Sequence, residues 1–121
     1  MASSVKVSDA VSAALAEGRP VVALESTIIA HGLPRPRNLL AAHDFEAILT
    51  DMGVVPATIA VIDGVPTVGL DDSELARIAG EDIPKVSSRD LAVAVGRKSS
   101  GATTVAATSL LAAHAGVRVF A

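Results

Sequence analysis

The 121-residue chain has no Cys, no Trp and no Tyr, and only two Phe. Without cysteine there is neither a disulfide framework nor a thiolate metal site, which fits a reducing compartment. Without aromatic faces there is little on which bases or sugars could stack, so a single-strand nucleic-acid platform is not expected. A cationic surplus is also missing: the net charge is -3 and the pI about 5.5. That balance argues against a binder of phosphate backbones. No apolar run approaches the ~20 residues of a membrane span. The start, Met1-Ala2-Ser3-Ser4-Val5-Lys6, lacks the apolar stretch of a signal peptide. The chain is therefore read as cytoplasmic, with neither a membrane nor a nucleic-acid polymer as a partner. His-Glu-x-x-His, Gly-x-Ser-x-Gly and Gly-x-Gly-x-x-Gly are absent as well.

What remains is 50% apolar, built from Ala, Val, Leu and Ile, and long enough for a real core. Ser8 or Asp9 caps a first helix through Val11, Ala14 and Leu15, ended by Gly18 and Pro20. Pro20 to Glu25 reads as a buried strand, and His31 to Pro36 as a loop broken by glycine and proline. Helical spacing runs from Arg37 to Met52 through Leu39, Leu40, His43, Ala47 and Ile48. Ala57 to Ile62 is an apolar strand, and Asp63-Gly64 signals a two-residue hairpin into Val65 to Val68. Asp71 and Asp72 open a short helix, Lys85 to Ser87 is a short strand, and Arg89 to Val95 is helical. Ser99 to Gly101 reads as a turn, Thr103 or Thr104 as the cap of a last helix, and Val117 to Ala121 as a last strand. This alternation implies an α/β fold, a mixed and mostly parallel sheet covered by helices. Ending on an apolar strand, the domain is expected to be incomplete: loops at the C-terminal ends of strands are where ligand groups gather.

A few residues stand out chemically. Glu25 places a lone carboxyl at the end of an apolar strand, where it could move a proton or could simply cap amides or pair with a Lys or Arg. Lys85 leads into a strand and could hold a phosphate or a sugar hydroxyl, or be a solvated edge lysine. Gly101-Ala102-Thr103-Thr104-Val105 puts a glycine turn and two hydroxyls before a helix N-terminus; this suits an anion, or an ordinary threonine cap. His31, in the loop, could order Glu25, touch substrate or brace the loop. His43 and His114 have no partner at metal-ligand spacing and are read as structural. Arg35 and Arg37 are read as solvated, and Arg89 with Asp90 as an ion pair at a helix start.

These residues fall in blocks that resemble the N-terminal part of the pseudouridine-5'-phosphate glycosidase family, the indigoidine synthase A-like proteins. The blocks are Pro20 to Gly32, Val55 to Ala60, Val68 to Leu70, Lys85 to Leu91, Gly101 to Thr108 and Ala115 to Ala121, so the likeness spans residues 8 to 121. The resemblance implies reversible cleavage of the C–C glycosidic bond of pseudouridine 5'-phosphate into uracil and ribose 5-phosphate. It implies Glu25 as the acid that protonates a uracil carbon, Lys85 as a contact to the sugar phosphate, and Val105 as a substrate contact through its backbone. Thr104 and His31 are grouped with them as substrate-binding candidates. The chain departs from the family pattern at Ser88, where a basic residue is usual. Family members continue into a glycine-rich loop, a metal-binding aspartate for manganese and a lysine that attacks the sugar. None of these lies in residues 1 to 121, so the chain is expected to be a fragment of one domain, without a metal ligand and inactive alone. Homo-oligomers are implied for the full-length family. Two other readings stand beside this one: a non-catalytic sugar-phosphate-binding module or complementing half of a split enzyme, and a poorly folding remnant.

Overall fold

The computed structural model describes residues 5 to 121. Seven strands form one sheet: β1 (Lys6–Val7), β2 (Val21–Leu24), β3 (Val55–Ile62), β4 (Val65–Val68), β5 (Lys85–Val86), β6 (Gly101–Thr103) and β7 (Val119–Phe120). Five helices accompany them: α1 (Asp9–Ala16), α2 (Arg37–Asp51), α3 (Asp72–Gly80), α4 (Leu91–Arg97) and α5 (Val105–Ala115). Pairs β1/β4, β2/β3, β2/β7 and β5/β6 are parallel; β3/β4 and β3/β6 are antiparallel. The expected mixed, mostly parallel α/β sheet is therefore what forms. No helix among the described residues is long and apolar enough to cross a membrane.

Strand β3 is the hub because both of its faces are apolar. Ala57, Ile59 and Val61 are fully buried, with Ala57 and Ile59 packing on Val11, Ala14 and Leu111 of α1 and α5. Ala60 and Ile62 pack on the other side with Ala42, Leu75 and Ile78 of α2 and α3. Such two-sided burial marks a central strand of a helix-covered sheet. Strand β4 holds one edge of β3. The other edge is shared end to end: β2 pairs Val55 through Thr58, and β6 pairs Ala60 and Val61. At the hairpin, Asp63 (φ 48°) and Gly64 (φ 81°) both take left-handed backbone, as a two-residue turn matching the sheet twist requires.

Caps follow the sequence closely. Ser8 accepts from the Val11 amide. Asp71 and Glu74 form a reciprocal capping box on α3. Thr104, not Thr103, caps α5, and Gly116 (φ 91°) closes it. Three expectations are corrected. Gly101 is not in a turn but opens β6, because the register places it against Val61 on one side and beside β5 on the other. Asp90 does not pair with Arg89; its carboxylate accepts from the Ser87 amide and hydroxyl, which holds it below the usual carboxylate range. Arg35 is not simply solvated, since it donates to the Ala79 and Glu81 carbonyls at the end of α3. β1, unread in the sequence, adds two residues parallel to β4.

Candidate functional site

Glu25 follows the last residue of β2 and stands at the mouth of an open cavity of about 470 Å³. The walls are supplied by four elements: Leu24 and Glu25 at the end of β2, Ile28 after it, Phe45, Ile48 and Leu49 of α2, and Val105 at the start of α5. Phe120 of β7 closes the remaining side. Apart from Glu25 this lining is apolar. Among the described residues, Glu25 takes part in none of the ion pairs. The carboxylate is thus half-buried against apolar groups with no basic side chain neutralising it.

The segment after Glu25 is a single π-helical turn, Ile28–Gly32. The Ser26 carbonyl accepts from the Ile29 and Ala30 amides, and the buried Asn38 amide of α2 donates to Ile29 O at 3.1 Å and Ala79 O at 2.7 Å. Asn38 thereby ties the turn to α2 and α3, a role its sequence position does not announce. π turns are uncommon and concentrate at functional sites. Ile28, at the start of the turn, faces the cavity. His31, near its end, reaches the other way: its Nε2 sits 2.6 Å from the Ile83 carbonyl, two residues before Lys85. His31 therefore links the turn to the β5 segment and does not line the cavity with Glu25.

Of the five candidates, Glu25 and Val105 share the cavity. The Thr104 hydroxyl accepts from the Ala107 amide at 3.4 Å, and its own amide donates to the Val86 carbonyl at 3.1 Å. Lys85 is exposed, lies on β5 opposite Ala102 of β6, and is absent from the cavity lining. Its placement is a flank of the site rather than its centre, connected to the centre through His31 and the π turn. Among the described residues no group of three or more His, Cys, Asp or Glu converges on one point.

The sequence reading passed over two further features. Leu40 and Ile48 of α2, at helical spacing, and Met52 just past its end are 64%, 59% and 71% exposed; the residues α2 buries are Asn38 and Ala42. Glu46, on the same helix, accepts from Thr58 Oγ1 at 2.6 Å. Burial pushes its carboxyl above the usual value, against the opposing pull of the Thr58 hydroxyl and His43. Only its place between apolar helix positions hinted at it.

The model of the indigoidine synthase A like protein family matches residues 10–121. Among curated relatives, the chain is 60% identical over 116 residues to the pseudouridine-5'-phosphate glycosidase of Saccharopolyspora erythraea, covering 95% of this chain and 38% of that protein. To the pseudouridine-5'-phosphate glycosidase of Arabidopsis thaliana it is 50% identical, covering 98% of this chain and 36% of that protein. The prealnumycin C-glycosynthase AlnA, solved in complex with ribulose 5-phosphate, superposes with a TM-score of 0.85 at 42% identity, over 99% of this chain and 39% of the other. An indigoidine synthase A-like protein from Thermotoga maritima gives a TM-score of 0.81 at 32% identity, over 86% and 36%. The chain thus spans well under half the length of each of these relatives.

Proposed function

We propose a function from one premise: the chain belongs to the indigoidine synthase A like protein family. It carries the proton-donating and substrate-holding part of a pseudouridine-5'-phosphate glycosidase, the enzyme that reversibly splits pseudouridine 5'-phosphate into uracil and ribose 5-phosphate. The observation that supports this most directly is that Glu25 and Val105, from separate elements, line one cavity beyond the ends of β2 and β7. The outer ends of strands in an α/β sheet are where such folds bind ligands.

A C-glycoside has no leaving oxygen to protonate. The acid must instead deliver its proton to the uracil carbon bonded to the sugar, so that the C–C bond can break with its electron pair returning to the ring. Glu25 is the group for that step. Ile28, Phe45 and Phe120 give that transfer apolar walls. The N-terminal end of α5, which brings Val105 to the cavity, suits the polar edge of a substrate. Lys85, reached through the His31 link, serves the phosphate. The ribose carbon left by bond cleavage needs a nucleophile; the resemblance assigns that to a lysine not found in residues 1 to 121, as it does the manganese ligand. The 121 residues are therefore the N-terminal part of one α/β domain, binding substrate without turning it over unaided. The same reading carries a cytosolic location, homo-oligomeric full-length relatives and no nucleic-acid polymer as partner.

Calorimetry with ribose 5-phosphate and with pseudouridine 5'-phosphate tests it. Binding in the millimolar range or tighter is expected, weakened about tenfold by Lys85→Ala, with no uracil released in the presence of manganese. Absence of heat at millimolar ligand would refute the substrate reading. Uracil release abolished by Glu25→Gln would show instead that these residues suffice for turnover. The pairing of β5, which carries Lys85, with β6, which leads into the Thr103-Thr104 start of α5, favours as a second reading a non-catalytic sugar-phosphate-binding module or the complementing half of a split enzyme. Turnover appearing only on mixing the chain with the remaining segment of a relative would identify it.

A further inference from the structure

Strands β2 and β6 meet end to end along one edge of β3, and Ile59 falls in the gap between the pairing that ends at Thr58 and the pairing that begins at Ala60. Its carbonyl is taken instead by two hydroxyls: Ser26 Oγ donates at 2.6 Å and Thr103 Oγ1 at 2.7 Å. Each hydroxyl has one proton, and both are now committed. With that arrangement Thr103 Oγ1 accepts from Thr108 Oγ1 at 2.8 Å, while Ser26 Oγ accepts from the Thr103 amide at 2.8 Å. The Ser26 amide donates back to the Thr103 carbonyl at 3.3 Å, and Thr27 Oγ1 donates to the same carbonyl at 2.9 Å. Ser26, Thr103 and Thr108 are each 0% exposed. Ser26 Oγ and Thr103 Oγ1 also lie 3.2 Å apart, and no buried side-chain polar atom among the described residues lacks a partner.

We propose that Ser26, Thr103 and Thr108 are positioning residues that preset the distance between Glu25 and the N-terminus of α5; this rests on the reading of Glu25 and Val105 as site residues. Ser26 directly follows Glu25, and Thr103 directly precedes Thr104 and Val105, so the cluster joins the two cavity walls behind the site. An apolar cluster would also fill the space. It would not define direction, because packing is non-directional whereas hydrogen bonds hold their partners at set distances and angles. The network holds the carboxylate where the cavity opens without contacting any ligand itself.

The test compares Thr103→Val, which keeps the shape and removes the hydroxyl, with Thr103→Ser, which keeps the hydroxyl. Amide hydrogen exchange is read at Ser26, Ile29 and Thr108, with Ile78 and Ala79 of α3 as an internal control. Thr103→Val is expected to speed exchange at the first three at least tenfold with little change in α3, and Thr103→Ser to restore it to within about threefold. The Glu25 carboxyl carbon resonance should move in the valine variant and return in the serine variant. Affinity for ribose 5-phosphate should follow the same order. Uniform acceleration across the chain, or none at Ser26 and Ile29, would overturn the proposal. Should Thr103→Val not fold, Thr108→Val decides, since it leaves both donors on Ile59 in place: faster exchange confined to Thr108 and its neighbours is expected, and unchanged exchange there refutes it. If the unaltered chain fails to bind ribose 5-phosphate, the glycosidase reading falls, while the exchange and resonance data still decide the positioning role.

Discussion

Replacing Gly101 by alanine probes the packing that brings β5 alongside β6. A Cβ on Gly101 would overlap Val86 Cγ2 and lie 3.0 Å from Val86 Cβ. Carbon atoms prefer roughly 3.5–4.0 Å, so the methyl cannot enter unless Val86 or its strand moves. Val86 is β-branched and stiff about its first torsion, and it is only 4% exposed, packed against Val61 and Ala94. Relief must come from the strands separating, which strains the Lys85–Ala102 and Val86–Thr103 pairing. The expected cost of Gly101→Ala is about 3 kcal/mol, the upper range for overpacking. Val86→Ala alone should cost about 2 kcal/mol through the emptied volume. With Val86 reduced to alanine, the remaining 3.0 Å approach of the Cβ atoms needs only a few tenths of an ångström of movement. Gly101→Ala should then cost about 1 kcal/mol, leaving a favourable coupling of about 2 kcal/mol between the sites. Urea unfolding of the two single variants and the double variant measures all three quantities. A Gly101→Ala variant within 0.5 kcal/mol of the parent chain, or strictly additive effects, would refute the packing argument.

Other outcomes follow from single side chains. Glu46 has its carboxyl raised by burial above the ordinary value of 4.5. The protonated form is thus the one the fold favours, and its contribution is complete below pH 4.5 and lost as pH rises through the raised value. Glu46→Gln, which keeps an acceptor for Thr58, should gain stability relative to the parent between pH 4 and pH 7; a pH-independent difference in urea midpoint would contradict this. Asp71→Ala removes the capping box of α3 and should cost about 1 kcal/mol, measurable as a lowered thermal midpoint with α3 amides exchanging faster. Asp63 is held below the usual carboxylate range chiefly by the hydrogen bonds from Arg77, at 2.9 Å each. That contribution is present above pH 3.8 and lost on acidification, so Arg77→Ala should flatten the acid limb of the stability profile. Glu25→Gln, lacking an ion pair among the described residues, should leave the urea midpoint unchanged.

Part of the candidate site was legible in the chain itself. Glu25 stands at the end of an apolar strand, and an apolar run broken by polar and glycine residues marks a strand end facing a loop. Asp63-Gly64 declared its hairpin because left-handed backbone at both turn positions admits few residue pairs. Gly101 misled for an instructive reason. A glycine before a helix reads as a turn, but here it carries an ordinary strand, and what demands glycine is the Val86 side chain of a neighbouring strand. Nothing local encodes that. Leu40 and Ile48 show a different limit, since helical spacing gives the helix but not which face meets the sheet, and both are exposed.

The sequence alone determined the alternation of helices and strands, the helix caps to within one position, and Glu25 as the residue to examine. These are local matters of backbone conformation, hydrogen-bond capacity and periodicity, each settled within a few positions. Only the tertiary structure decided that Glu25 shares a cavity with Val105, that Lys85 and His31 stand on its flank, and that Ser26, Thr103 and Thr108 meet over Ile59. Those contacts join residues as far as 77 positions apart. They exist because two strands share one edge of β3, and the order in which strands pair is a property of the folded sheet as a whole.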